Sequence, residues 1–123
     1  MAIRGKPLTL LRGESKTLRL TVRDKEKNTV DLTGATIYFT VKTNTGASNA
    51  VIFKSSATSA EAEIDPDQVT NRGIGRFFLS PSDTATLAPG KYVYDVWVEL
   101  AGGDRHAVIR PSQVEIVRAV TEL

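Results

Sequence analysis

The stretch LAPGKYVYDVWVEL, residues 87–100, decides the fold class of this chain. From Lys91 onward Tyr92, Tyr94, Val96 and Val98 share one parity, while Val93, Asp95, Trp97 and Glu99 share the other. A period of two is the signature of a strand with one buried face, so the tyrosines and valines are expected inside and the only tryptophan outside. Pro89 and Gly90 break the chain just before it. Tyr92 then enters the strand after a short turn, the setting of a tyrosine corner, in which the phenol hydroxyl bonds nearby backbone and the residue two later enters the core. Tyr92, Tyr94, Pro89 and Gly90 are therefore read as structural residues.

Downstream, Ala101-Gly102-Gly103-Asp104 signals a hairpin. A two-residue turn at Gly102 and Gly103 predicts that Leu100 pairs with Arg105, Glu99 with His106, Val98 with Ala107, Trp97 with Val108, Val96 with Ile109 and Asp95 with Arg110. Ala107 and Ile109 then face inward, and two opposite-charge pairs flank Trp97 and Val108 on the outer face. Trp97, Val93 and Val108 form a candidate protein-binding patch, because tryptophan is enriched among interface anchors. Equally, an arginine stem, the N-terminal arm or the loop from Thr43 to Ala50 folds over the indole.

The same period recurs along the chain. KTLRLTVRD places Leu18, Leu20 and Val22 on one face, and ATIYFTVK places Ile37, Phe39 and Val41 inward with Thr36, Tyr38 and Thr40 outward. VIFK and SAEAEI are further strand segments, the second with Ala60, Ala62 and Ile64 on one side. RFFLS after the turn-rich DPDQVTNRGIG reads as a central strand, and QVEIVRAV supplies the last one. PSDTATL reads as a single helical turn near residues 82–87, capped by Ser82 or Asp83, with Ala85 and Leu87 inward. No helical period long enough for a βαβ crossover separates the strands. The expected fold is all-β, an immunoglobulin-like sandwich of two antiparallel sheets in one domain spanning residues 1–123, with residues 1–7 as an N-terminal arm.

At 123 residues one core suffices, burying roughly two-thirds of the surface of the extended chain. No apolar run approaches the ~18 residues of a membrane span, and PLTLL is too short for a signal peptide, so no membrane association is expected. The absence of cysteine excludes disulfides and thiolate metal sites. Sixteen basic against fourteen acidic residues leave a net charge of +2, too weak a bias for a nucleic-acid binder.

Candidate chemistry is sparse. His106 is the only histidine, and its expected neighbour Glu99 gives it an ordinary surface role. Asp65 and Asp67 resemble half of a calcium loop but flank Pro66, which suits a turn. Glu61 and Glu63 share a strand face, which is routine on a solvated strand. Gly73-Ile74-Gly75 precedes a strand and opens no helix, so it is a poor phosphate loop. No serine sits in a nucleophile elbow. Neither catalysis nor a cofactor is expected.

The early charged-tip strand, DLTGAT at residues 31–36, SDTATL at 82–87, PGKYVYDV at 89–96 and the final VTEL together resemble a family of phage immunoglobulin-like virion proteins, in particular the N-terminal domain of phage baseplate upper proteins. The resemblance implies no activity. It implies a virion component, made in the host cytoplasm, that docks to other virion structural proteins and forms a homo-oligomer within the particle as a tail, baseplate or fibre-adaptor module. Capsid decoration and a carbohydrate-binding sandwich are the alternatives, the second resting on Trp97 and Tyr38. Ile3 and Leu8, in and beside the N-terminal arm, are further candidates for docking or strand exchange.

Overall fold

The computed structural model describes residues 3–4 and 7–121, with side chains described for 7–121. The elements follow in the order β1 (Ile3–Arg4), β2 (Leu8–Leu11), β3 (Lys16–Thr21), β4 (Thr36–Lys42), β5 (Ile52–Ser55), β6 (Ala62–Ile64), β7 (Ile74–Leu79), α1 (Pro81–Ala85), β8 (Gly90–Glu99) and β9 (Arg105–Val117). They form an all-β fold of two sheets. One has the order β1-β9-β8-β4-β5, with β2 also on β9, and the other has the order β3-β7-β6.

The expected parity generates the core. Ile37, Phe39 and Val41 of β4, together with Tyr92, Tyr94, Val96 and Val98 of β8, are buried, and they meet Leu20, Phe77 and Leu79 from the smaller sheet. The rings of Phe39 and Phe77 approach to 5.5 Å between centroids, and those of Phe39 and Tyr94 to 5.8 Å. Gly75 lets β7 come close to β4, since a Cβ there would lie 2.7 Å from Ile37 Cδ1. Gly73 is needed for a different reason: its φ is +85°, and a Cβ would meet the Val22 carbonyl oxygen at 2.8 Å.

The larger sheet is mixed, which corrects the expectation of two antiparallel sheets. β1 and β2 run parallel to β9, with Ile3 opposite Ile109 and Leu8 opposite Val114. Within the N-terminal arm, Met1, Ala2, Gly5 and Lys6 lie outside the described residues, as does the side chain of Ile3. Leu8 packs against the core, and Leu10 beside it is buried, so Leu8 is not an outward docking residue.

The hairpin is also corrected. Leu100 N–H donates to the Asp104 carbonyl, Gly103 N–H donates to the Leu100 carbonyl, and Gly103 has φ +96°. The loop therefore holds three residues, Ala101 to Gly103, closing with glycine in the left-handed region, and not the two-residue turn at Gly102 and Gly103. One extra loop residue shifts the tip register, so that Glu99 pairs with Arg105, Val98 with His106 and Trp97 with Ala107. Ala107 consequently lies across from the outward Trp97, and Val108 turns into the core, where it is 2% exposed. Two irregularities in β9 then each advance the register by one residue: the first brings Val96 opposite Ile109 as expected, and the second puts Tyr94 opposite Ser112. The second brackets Pro111, whose missing N–H suits a bulge. A single thirteen-residue β9 thus replaces the two separate strands expected after the turn.

Smaller departures follow from capping and edges. Helix α1 is capped two or three residues earlier than expected: Ser80 is the N-cap, and its backbone N–H donates to Asp83 Oδ2 at 2.7 Å. Thr84 is buried in place of the exposed Ala85, and its hydroxyl accepts from Gly13 N–H at 2.8 Å. Ala60 is exposed in the turn before β6. On edge strand β5, Lys54 points inward and pairs with Asp83 at 2.9 Å. An inward charge of this kind discourages strand addition at an edge.

Candidate functional site: an aromatic row on the outer face

The outward residues of three neighbouring strands build the site. In β8 the alternation leaves Val93, Asp95 and Trp97 outside, and Trp97 is 41% exposed. Tyr38 of β4 lies directly opposite Trp97 in the register, and on β5 the inward Lys54 leaves Phe53 outward and 52% exposed. Tyr38 and Phe53 approach to 6.1 Å between ring centroids. The three rings therefore stand on neighbouring strands β5, β4 and β8, in a staggered row in which Phe53, opposite Thr40, is set two residues along from the Tyr38–Trp97 pair. They line an open groove of about 610 Å³, which Val93 also helps to line.

The rim is charged. Asp95 Oδ2 accepts the indole Nε1–H of Trp97 at 3.1 Å, which fixes the ring orientation. Arg105 pairs with Glu99, and that carboxylate holds the guanidinium above its ordinary value. Lys42 and Thr40 of β4 complete the wall. The loop from Thr43 to Ala50 leaves the indole exposed, although Thr45 from that loop reaches the groove edge.

The expected patch is therefore realised in part. Trp97 and Val93 lie together on the outer face, whereas Val108 is in the core and Leu8 is partly buried against it. The charge pairs expected beside Trp97 do not form: Glu99 bonds Arg105 and not His106, and Asp95 bonds the indole and not Arg110. Tyr92 behaves as a corner residue, its hydroxyl donating to the Ala88 carbonyl at 2.6 Å. Tyr94 is buried, and that burial raises its phenol above the ordinary value. Phe53 escaped the sequence reading because Ile52 and Lys54 both face inward, and an inward lysine inverts the parity that polarity suggests.

The other candidate carboxylates have structural partners. Asp65 bonds Arg76 at 2.8 Å and accepts the Asp67 N–H at 2.9 Å. The Arg76 bond, with help from that N–H, holds Asp65 below its ordinary value. Asp67 accepts the Val69 and Thr70 N–H groups, closing the turn. Glu63 pairs with Arg76, and Glu61 accepts the Ser55 N–H. Buried Gln68 was not legible in advance: its Oε1 accepts from Leu32 and Gly73 N–H, and its Nε2 donates to the Asp65 carbonyl. Among the described residues no group of three acidic or histidine side chains is placed to hold a metal ion, and no helix is long and apolar enough to cross a membrane.

No protein-family model matches this chain, and no curated protein matches it.

Proposed function

We propose that this chain is a non-enzymatic, immunoglobulin-like assembly module of a phage virion, of the tail, baseplate or fibre-adaptor type, which docks to other virion structural proteins. The observation that carries the proposal is the exposed row of Tyr38, Phe53 and Trp97 on one sheet face. Exposed aromatic clusters with a charged rim are the anatomy of interaction surfaces, where such rings supply most of the binding energy. The immunoglobulin-like assignment is supported by the Tyr92 hydroxyl bonded four residues back, at the start of a long strand that follows a helical turn. A non-enzymatic role is supported by the use of Asp65, Glu63 and Glu99 in structural ion pairs. Mass spectrometry of purified particles encoded with this chain tests the proposal. Peptides of the chain are expected at fixed stoichiometry to other virion proteins, and their absence from the particles overturns it.

The juxtaposition of Tyr38 and Trp97 also favours a carbohydrate-binding sandwich as a second reading, because paired rings are platforms for sugar faces. Binding to no member of a glycan array removes that alternative.

A further inference from the structure

We infer that the free edge of β3, a contact distinct from the aromatic face, takes an added strand from a partner protein, an extended segment in which an acidic residue stands between two apolar ones. The first ground is backbone polarity. In its sheet β3 pairs with β7 alone, Leu18 opposite Phe77 and Leu20 opposite Gly75. Val22 N–H donates to the Gly73 carbonyl, and Phe78 N–H donates away from β3, to the Glu61 carbonyl. The alternation of an antiparallel ladder then turns the N–H and C=O groups of Thr17, Arg19 and Thr21 outward, where no described residue bonds them. The other edges are guarded or shorter: β5 carries the inward Lys54, β6 has three residues and β2 has four. β3 has six, and its inward residues Leu18 and Leu20 carry no charge to discourage a new neighbour.

The second ground is what lies beside that edge. A groove of about 220 Å³ opens between the sheets there, with Leu18 and Leu20 of β3 and Phe77 of β7 on one side and Leu8 of β2 and Ile109 of β9 on the other. Apolar residues two positions apart on an added strand share its inner face and extend the row of Leu18 and Leu20 into this groove. The third ground is charge. On the outer face β6, β7 and β3 set Glu63, Arg76 and Arg19 side by side in register. Glu63 and Asp65 both bond Arg76, and the electrostatic pairing stops there: Arg19 faces another arginine and has no acidic partner among the described residues. A carboxylate on the next strand supplies to Arg19 what Glu63 supplies to Arg76. The β3 of a second copy would instead bring Lys16 and Arg19 against like charge, so the occupant is a different strand.

The test is an NMR titration of the full chain with the synthetic peptide Gly-Ser-Thr-Val-Glu-Val-Thr-Ser-Gly and with the same peptide carrying lysine in place of glutamate. The glutamate peptide is expected to shift the Thr17, Arg19 and Thr21 amides saturably and to slow their hydrogen exchange about tenfold at saturation. It is expected to bind about fivefold more tightly than the lysine peptide. Arg19→Glu, a change at an exposed position, is expected to invert that preference, and a melting temperature close to that of the parent shows that the variant is folded. The inference is overturned by no saturable shift at millimolar peptide, by shifts confined to Tyr38, Phe53 and Trp97, or by a preference that Arg19→Glu leaves unchanged. It is also overturned if the three amides are already protected without peptide, in monomeric or self-associated chain, because the chain's own N-terminal arm or a second copy then fills the edge. None of these results bears on whether the chain is present in particles, so the two proposals fail separately.

Discussion

The outer face of the six-stranded sheet carries Tyr38, Phe53, Val93 and Trp97, whereas that of the three-stranded sheet carries Arg19, Arg76 and Glu63 with the half-buried Phe78. Both sheets bury the same kind of aliphatic and aromatic residues on their inner sides. On the smaller sheet Arg76 is satisfied within the chain, bonding Glu63 at 3.0 Å and Asp65 at 2.8 Å. On the larger sheet the Tyr38 ring meets that of Phe53, and the Trp97 indole bonds Asp95. The difference teaches that inward packing leaves the outer surface free: one face is closed electrostatically, and the other keeps apolar area available for a partner.

The sharpest way to test the contrast between buried and presented rings uses two phenylalanines on adjacent strands. Phe39→Ala empties the space between the sheets, and an equilibrium denaturation should lose about 3–5 kcal/mol. Removing Gln68 probes the smaller sheet's flank: Gln68→Ala leaves the Leu32 and Gly73 N–H groups unpaired, with an expected loss of about 1–3 kcal/mol. A smaller effect, about 1 kcal/mol, is expected for Tyr92→Phe, which deletes the bond to the Ala88 carbonyl and keeps the ring packed. Smallest of all is Phe53→Ala, within about 0.5 kcal/mol in stability, because the outer ring contributes to docking and not to the core. A loss for Phe53→Ala as large as that for Phe39→Ala would break the comparison.

Acidification separates the two faces by charge. Asp65 is held below its ordinary value of 3.8, chiefly by the Arg76 bond. A carboxylate with a depressed folded value contributes stability that is fully present above the ordinary value and disappears as pH falls through the folded one. The melting temperature should therefore drop as pH is lowered below about 4, and Asp65→Asn should flatten that dependence. Asp83 behaves in the same sense: burial opposes its ionisation, but the Lys54 ammonium and the Ser80 N–H outweigh it and lower its value. A pH profile that Asp65→Asn leaves unchanged would show that the charged face is not closed by Arg76.

Much of this molecule was legible from alternation. The inward sets of β4 and β8, the outward Trp97, the central place of β7 and the corner role of Tyr92 all follow from a two-residue period with turn residues at its ends. Such a period is local, so each strand reports its own faces whatever its neighbours are.

Three things were settled only by the assembled fold. The hairpin loop took three residues and not two, and that single step moved Val108 from the surface into the core, because side-chain direction flips with every residue of register. The inward Lys54 exposed Phe53 because Asp83, twenty-nine positions away in sequence, supplied its counter-charge. The ring row itself draws one residue from each of three strands, so it exists only once β5, β4 and β8 lie side by side. Periodicity fixes which way a side chain points along its own strand, whereas register and long-range charge pairing fix what it stands beside.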